Sequence, residues 1–186
     1  MPAAEITFAL LDGRRAAEHE AELQALRNEA YAGLPCTGDD DSVRISGSLR
    51  VQRRQPGFVL AEARSGGYLV GYAAGMPLRP STSWWRELTA PLPEHVTAEH
   101  PGRTFALTNL VVRPSWRRQR IGVYLHDLIL AGRAEERATV RVPQAAAAAQ
   151  AAFQSWGWRR IARTRGAEPG SPGSDVLIAG LPAAGS

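Results

Sequence analysis

The sequence predicts an α/β fold with a central mixed, mostly antiparallel sheet, and three observations support this class. Hydrophobic runs of strand length recur from Phe58 onward, and helical runs separate the later ones. The 186 residues are 44% hydrophobic and 22% charged, as in ordinary globular domains. No shift in composition marks a linker, so we expect a single domain over residues 1–186.

The N-terminal part is predicted to contain two helices. Leu23, Leu26 and Ala30 recur at helical spacing, which predicts an amphipathic helix over 14–34. A second helix is expected over 42–55, behind Asp39-Asp40-Asp41 and before a Pro-Gly pair. It is the weaker of the two, because Gly47 lies within it. Neither helix carries an evident chemical motif.

The remaining chain alternates predicted strands and helices. Strands are expected at 58–63, 68–76, 104–112, 139–142, 158–164 and 176–181, and helices at 121–133 and 144–155. The first two strands form a hairpin, and residues 78–103 form a loop long enough to suggest a binding role. We expect a sheet of six to seven strands flanked by about four helices.

Composition limits the classes of function. All 22 basic residues are arginine, which gives a formal charge of +4. Guanidinium groups can bind phosphate through two hydrogen bonds, although a GC-rich coding bias explains this composition more simply. Cys36 is the sole cysteine, so we expect neither an intramolecular disulfide nor a metal site. Without a signal peptide or membrane-length apolar run, we expect a cytoplasmic protein that does not enter membranes.

The most informative stretch is LTNLVVRPSWRRQRIGVYLHDLIL, in which a predicted strand leads through a basic turn into a helix. The turn presents free backbone N–H groups at a helix N-terminus, where anions bind. Arg117, Arg118 and Arg120 add positive charge at the same place. This combination predicts a site for a pyrophosphate group, and an ordinary solvated turn is the alternative.

Two runs of residues resemble motifs of a known family. The first is similar to the V-x-P-x-x-R-G-x-G-I-G-x-x-L acetyl-CoA signature of GNAT acyltransferases, with Val112-Arg113-Pro114, Arg117, Gly122 and Leu125. The second resembles the family's N-x-x-A-x-x-x-Y-x-x-x-G-F signature, with Ala149, Phe153 and Gly157-Trp158. The chain from about Phe58 to the end shares this resemblance, and it is similar to actinobacterial members with a WW loop and an LHD helix.

The resemblance implies a splayed sheet that holds acetyl-CoA or another acyl-CoA. The donor would lie along Leu110, Val111, Val112, Arg117, Arg118, Gln119, Arg120, Ile121, Gly122 and Val123. An amine of a small molecule or peptide would attack the acyl carbon directly, beside the candidate catalytic residues Asn109 and Thr108. Trp84 and Trp85 in the long loop are candidates for the acceptor pocket, with packing of the core as the alternative.

Four positions depart from the family pattern. Arg120 replaces the signature's first glycine, Phe153 replaces its tyrosine acid, Ala146 replaces a common asparagine, and Asn109 stands where similar sequences have glutamate. If the backbone at Arg120 has a positive φ, its side chain costs about 1–2 kcal/mol. If that backbone is helical, the guanidinium is expected to reach a phosphate instead.

Three functions fit these residues. The leading interpretation is an acyl-CoA-dependent N-acyltransferase, and a homodimer is compatible with it. A second is a transferase with an aminoacyl-tRNA donor in a natural-product pathway; a third is a non-catalytic binding module. The tRNA phosphates would contact Arg44, Arg50, Arg53, Arg54, Arg159, Arg160, Arg163 and Arg165, which otherwise form a solvated surface.

Overall fold

The computed structural model describes residues 5–32, 47–166 and 168–183. The strands are β1 (Ile6–Asp12), β2 (Val59–Ser65), β3 (Tyr68–Pro77), β4 (Thr104–Val112), β5 (Arg137–Pro143), β6 (Arg159–Arg163) and β7 (Ser174–Gly180). The helices are α1 (Gly13–Glu18), α2 (Glu20–Tyr31), α3 (Leu49–Gln52), α4 (Glu94–Thr97), α5 (Ile121–Leu130) and α6 (Ala147–Ser155). A short 3-10 turn covers Pro114–Trp116.

All seven strands belong to one sheet with the order β1-β2-β3-β4-β5-β7-β6. The pairs are antiparallel except for β4 and β5, which run parallel and are connected by α5. The predicted α/β fold with a mixed, mostly antiparallel sheet is therefore confirmed. The predicted hairpin is confirmed as β2 and β3.

Helices cover the sheet on both faces. On one face, α5 and α6 pack on a core that includes Phe105, Leu107, Leu125 and Phe153. On the other, α1 and α2 bury one apolar stripe, which includes Leu23, against β2, β3 and β4. Beyond β4 this second face is covered by the loop that contains the two neighbouring tryptophans, which packs on the sheet in a third, smaller cluster.

Two N-terminal expectations need correction. The predicted helix over 14–34 is divided at His19 into α1 and α2, and its last residues lie outside the described part. The predicted helix over 42–55 is reduced to the single turn α3. Gly47 has a φ of 77°, which no helix contains, and residues 42–46 lie outside the described part, as does Cys36.

Strand β1 was not predicted. It is the edge strand beside β2, and Thr7 to Leu10 are exposed. An edge strand that buries so little need not alternate apolar and polar residues, so it lacks the usual signal in the sequence. Within the described ranges, no helix combines the length and apolar character needed to cross a membrane.

Candidate functional site

The parallel pair β4 and β5 separates part of the way along its length. Pairing runs from Thr104 with Arg137 to Leu107 with Val140 and then stops. Beyond that point β4 pairs only with β3, and β5 continues beside β7. Among the described residues, no strand lies against the β5-facing edge of residues 108–112. The sheet therefore opens toward the C-terminal ends of β4 and β5.

A bulge in β4 lies where this opening begins. The register between β3 and β4 shifts at Ala74 and Gly75, so Thr108 is an extra residue in its strand. Leu107 and Leu110 consequently pack on the same core, while Thr108 and Asn109 both turn to the other face. Neighbouring strand residues normally point to opposite faces, and the bulge brings these two side chains together.

A buried glutamine joins the two candidate catalytic residues. The Thr108 hydroxyl donates to Gln52 Oε1 at 2.6 Å, and Asn109 Nδ2 lies 3.5 Å from the same oxygen and 3.2 Å from Thr108 Oγ1. Gln52 in turn donates to the Gly47 carbonyl at 2.7 Å. Sequence reasoning missed Gln52, because a polar residue in a weak helix gives no sign of burial. We call Gln52, Thr108 and Asn109 the amide cluster.

The loop after β4 has an unusual backbone. Arg118 and Arg120 have φ values of 61° and 64°, in the left-handed region that favours glycine. Arg120 is the N-cap of α5, so the position where the family signature has glycine requires a positive φ here. Of the two backbone conformations considered for Arg120, the positive φ is the correct one, at a cost of about 1–2 kcal/mol, and this conformation does not prevent the exposed guanidinium from reaching a phosphate.

This backbone presents a row of donors. Within the described part of the chain, the N–H groups from Arg118 to Val123 have no hydrogen-bond acceptor. They surround the N-terminus of a ten-residue helix, whose dipole attracts negative charge. A Cβ at Gly122 would meet Val112 at 3.9 Å and nothing nearer, so the protein leaves space in front of these groups. A phosphate or pyrophosphate fits this arrangement.

The arginines of the loop divide into two kinds. Arg113 donates to the Leu69 carbonyl at 2.8 Å and pairs with Glu29. Arg117 donates to the Ala30 carbonyl at 3.1 Å, so both side chains fix the loop to neighbouring elements. Arg118 and Arg120 are exposed and have no hydrogen-bond or ion-pair partner among the described residues, although Arg120 lies near the Tyr124 ring. These two guanidinium groups are the free cations of the loop.

The remaining residues that were predicted to contact the acyl donor have side chains that point away from the opening or pack in the core. Val111 faces α2, and Ile121 is buried in the α5 core. Leu110 and Val112 pack partly against the same core, Val123 is half-buried, and Gln119 is exposed. A ligand in the opening would therefore meet main-chain atoms of the strand rather than these apolar side chains.

The two tryptophans of the long loop occupy different environments. Trp84 is buried against Leu78 and donates to Thr139 Oγ1 at 3.1 Å. Trp85 is half-buried and donates to Glu99 Oε1 at 2.9 Å. Trp84 thus packs as part of the core, which was the alternative to a pocket wall. Trp85 remains accessible in part.

Phe153 lies in an aromatic cluster. Its ring is buried against Trp156 and Trp158, with ring centroids 5.2 Å from each. Trp158 donates to His126 Nε2 at 2.9 Å, so His126 is a structural residue of the same cluster. The cluster explains Phe153 by packing and leaves this position without a proton donor.

The surface arginines expected to meet tRNA are partly engaged. Arg53 pairs with Glu20 at 3.1 Å, and Arg160 and Arg163 lie 3.5 and 3.2 Å from Asp175. Arg44 lies outside the described residues. Among the residues that the structure describes, the exposed arginines of this set that form no ion pair are Arg50, Arg54, Arg159 and Arg165. In the ranges covered by the structure, no three His, Cys, Asp or Glu residues converge as metal ligands would.

Comparison with known proteins identifies the same architecture. The structure resembles an acetyltransferase of the GNAT family from Staphylococcus aureus MU50, with a TM-score of 0.66, 15% identity and coverage of 96% of this chain and 100% of that one. The ribosomal-protein-S18-alanine N-acetyltransferase from Escherichia coli matches with a TM-score of 0.59 and 15% identity, over 98% and 96% of the two chains. The PaiA N-acetyltransferase from Thermoplasma acidophilum, in complex with coenzyme A, matches with a TM-score of 0.60 and 14% identity, over 95% and 99%.

At these identities the structural matches establish the fold alone. Comparison with curated protein sequences gives no significant match. The sequence profile of the acetyltransferase (GNAT) family matches residues 21–158, well over half of the chain and including both the opening of the sheet and the loop behind it. The chain therefore belongs to the acetyltransferase (GNAT) family.

Proposed function

We propose that the protein is an N-acyltransferase that uses an acyl-CoA, with acetyl-CoA as the expected donor, and an amine as the acceptor. The observation that carries this proposal is the opening between β4 and β5, which leads directly to the free N–H groups of residues 118–123. An elongated ligand with a pyrophosphate at one end and an amide-rich arm matches both parts.

The loop would hold the charged part of the donor. The N–H groups at the start of α5 supply donors for a pyrophosphate, and Arg118 and Arg120 supply charge at its sides. Arg113 and Arg117 would act indirectly, because they fix the loop to α2 and the hairpin. The unpaired edge of residues 108–112 offers backbone groups to the arm, as an added strand would.

The amide cluster would mark the reacting end. The thioester supplies the activated acyl group; the amine forms a C–N bond to its carbonyl carbon, the C–S bond breaks, and one proton passes from nitrogen to sulfur. A backbone N–H of β4 near the bulge would stabilise negative charge on the carbonyl oxygen. Thr108, Asn109 and Gln52 are neutral, so they would orient the amine or a water rather than remove the proton.

In this proposal the acceptor is a small-molecule or peptide amine, approaching near Trp85, in the cytoplasm. The E. coli S18-alanine enzyme acts on an amine of a protein, which supports a peptide amine among the acceptors to be screened. The Trp84-Trp85 pair and the Leu125-His126-Asp127 run would place the chain beside actinobacterial members of its family. A homodimer is compatible with these assignments.

The test is calorimetric titration with CoA and acetyl-CoA, using Gly122→Trp as the blocking variant. A Cβ at residue 122 meets no protein atom closer than 3.9 Å, so the variant should fold, while its indole fills the space before the loop. Wild type should bind, and Gly122→Trp should lose at least about 100-fold in affinity, since one ring displaces several charged hydrogen bonds.

The matched control is Ala151→Trp, which adds the same side chain at an exposed position of α6. It should bind CoA as wild type does, and thermal unfolding should show that both variants remain folded. Equal affinity of Gly122→Trp and wild type would refute the assignment of the loop. Absence of binding to wild type would refute the CoA donor itself.

An aminoacyl-tRNA donor is the second candidate. It is favoured by the burial of Phe153, which leaves no acid at this position, because the leaving ribose oxygen of such a donor can take its proton from the neighbouring ribose hydroxyl of the donor itself. Exposed Arg50, Arg54, Arg159 and Arg165 would contact phosphates. Under this candidate, the affinity for aminoacyl-tRNA should fall steeply between about 50 and 200 mM salt, because several phosphate contacts release counterions together. A flat salt dependence would refute it.

A further inference from the structure

The sheet ends in two edge strands, β1 and β6, and β6 is protected against pairing with another chain. Three of its five residues are arginine, and its register with β7 shifts beside Ile161. Near its end the long loop covers its free side, because Leu88 forms a bridge with Thr164 and the Thr89 N–H donates to the Arg163 carbonyl at 2.8 Å. Charged side chains, irregular register and covering segments are the features by which proteins prevent edge-to-edge association.

β1 has none of these features within the described part of the chain. Its sequence ITFALLD contains no proline and a single charged residue, Asp12, at its last position. It pairs with β2 from Ile6 to Asp12 without a register shift, and no described segment lies along its other side. The outward N–H and C=O groups of alternate residues therefore have no partner among the described residues. A regular, apolar edge of this kind is a template for another strand.

Apolar side chains are exposed beside this edge. Ile6, Phe8 and Leu10 point to the face that carries α5, because the β2 residues opposite Phe8 and Leu10 belong to the core under that helix. Phe8 is 36% exposed, Leu10 is 45% exposed, and Tyr124 of α5 is 52% exposed with its ring 5.5 Å from that of Phe8. These are three of the five large hydrophobic side chains that are exposed in the described ranges. We call Ile6, Phe8, Leu10 and Tyr124 the β1 patch, and such a concentration of apolar side chains is typical of an interaction surface.

We infer that β1 is the interface of a homodimer, in which β1 pairs antiparallel with the β1 of a second copy across a twofold axis. Alternate residues of a strand share one face, and a twofold axis perpendicular to the sheet keeps them on that face. The β1 patches of the two copies then form one continuous apolar strip, and the two sheets join into one. Each copy has one unprotected edge in its described part, so the association closes at two copies.

The charges at the ends of β1 fit a second copy. Glu5 precedes the strand, Arg14 and Arg15 follow it in α1, and all three are exposed and form no ion pair among the described residues. Antiparallel pairing places the start of one β1 beside the end of the other, so Glu5 meets the two arginines of the second copy. Asp12, whose carboxylate accepts from the Arg15 N–H at 2.8 Å, offsets one of them. One net positive charge therefore faces one negative charge at each end, whereas parallel pairing would bring like charges together.

The proposed donor site remains open in this arrangement. β2 and β3 separate β1 from β4, so the opening between β4 and β5 lies away from the twofold axis. The interface is therefore independent of the acyl-CoA assignment, and its test requires no ligand.

The test is analytical ultracentrifugation of the full chain over a range of concentrations. Wild type should pass from the mass of one chain to that of two as its concentration rises to about 100 μM, which is the range of a small interface. Phe8→Lys should raise the dissociation constant of the dimer at least about tenfold, because it places two like charges in the apolar strip. Leu10→Lys should have the same effect without removing the ring that contacts Tyr124.

The matched control is Val51→Lys, which makes the same change at another hydrophobic side chain, 49% exposed on α3. It should leave the dissociation constant within about twofold of wild type, because Val51 lies outside the interface. Thermal unfolding should show that all three variants are folded. A wild type that stays monomeric at the highest concentration would overturn the inference, as would a dimer that neither Phe8→Lys nor Leu10→Lys weakens.

An exchange of charges tests the antiparallel arrangement. Glu5→Arg and Arg14→Glu should each weaken the dimer at least about threefold at low salt, because like charges then meet at the ends of β1. The combined variant Glu5→Arg/Arg14→Glu restores opposite charges and should recover the affinity of wild type to within about twofold. If the two losses simply add in the combined variant, the antiparallel pairing is wrong.

Discussion

Arg120 occupies a backbone conformation that suits glycine. Its φ of 64° places the Cβ against the following carbonyl, and its guanidinium stands exposed beside the proposed pyrophosphate site. Arg118 shares the left-handed conformation at a φ of 61°. Strained residues persist where the surrounding structure fixes them, often where a ligand binds. We therefore interpret the strain as the cost of placing two cations at the donor loop.

Substitutions of Arg120 should separate strain from charge. Arg120→Gly and Arg120→Ala both remove the guanidinium, but only glycine relieves the strain. We expect Arg120→Gly to be about 1 kcal/mol more stable than Arg120→Ala, measured by urea unfolding. Both should bind CoA about tenfold more weakly than wild type. Equal stabilities of the two variants would contradict the strain, and unchanged affinities would contradict the phosphate contact.

Helix α3 is short, yet it carries the residue that organises the bulge in β4. Gln52 is almost fully buried and connects Thr108 and Asn109 to the Gly47 carbonyl. Four residues cannot form a stable helix alone, so α3 depends on these bonds and on the packing of Leu49. The amide cluster therefore stabilises an element and the proposed reacting end together.

Replacing Gln52 with leucine should destabilise the fold. The side chains of Thr108 and Asn109 would lose their shared acceptor inside the protein, at a cost of about 1–3 kcal/mol in the free energy of unfolding. Gln55→Leu, at a half-buried position beyond the same helix, is the control and should change stability by less than about 0.5 kcal/mol. Similar unfolding midpoints for both variants in urea would contradict the role of the cluster.

The connection from α5 to β5 contains a buried ion pair. Arg133 donates to both carboxylate oxygens of Glu135, at 2.8 and 2.6 Å, and its guanidinium lies over the Phe105 ring. Burial alone would raise the pKa of Glu135, but the bonds from Arg133 and the backbone outweigh it and lower the pKa below the usual 4.5. The pair therefore stabilises the connection when Glu135 is ionised.

The pH dependence of stability should report this pair. A carboxyl whose pKa is lowered by folding stabilises the protein above its unfolded pKa, and this stabilisation is lost as the pH falls through the folded value. Wild type should thus lose stability below about pH 4.5, and Glu135→Gln should show a shallower fall, with about 1–3 kcal/mol lost at pH 7. The exposed neighbour provides the control Glu136→Gln, and pH profiles of Glu135→Gln and wild type that run parallel would contradict the assignment.

At the scale of the whole molecule, the sheet consists of two parts joined by one short parallel pair. Only residues 104–107 of β4 pair with β5, whereas the antiparallel pairs on either side extend over longer stretches. We therefore expect the amides at the free edge of β4 and in the loop to be weakly protected against hydrogen exchange. A ligand between the two parts would complete the hydrogen bonding of both.

Hydrogen exchange should detect the hydrogen bonds that a bound ligand adds to the sheet and the loop. Addition of CoA should slow the exchange of amides in residues 108–112 and 118–123, and leave the β1 edge unchanged. The same experiment with Gly122→Trp should show no protection. Protection confined to other parts of the chain would contradict the proposed donor site.

Local patterns in the sequence were sufficient for most of the sheet. The elements β2, β3, β4 and α5 are buried, so their hydrophobic periodicity and the turn residues between them were enough to predict them. The proposed donor loop, residues 113–120, was predicted from residues that are contiguous in the chain. The edge strand β1 was not predicted, and α3 was predicted too long. Elements that bury few residues show little hydrophobic periodicity in the sequence.

The amino-acid sequence was sufficient to identify the fold class and the family, because both depend on spacing within short segments. Which side chains are free to meet a ligand depends instead on the folded chain. It assigned Arg117 to the backbone of α2, buried Trp84 in the core, and brought Gln52 to Thr108 and Asn109 through a bulge. It also brought Arg103, Arg137 and Arg159 together at one cleft, although they lie at or just before the starts of three different strands. Contacts between residues distant in the chain follow from strand register and packing, and a local sequence pattern specifies neither of these.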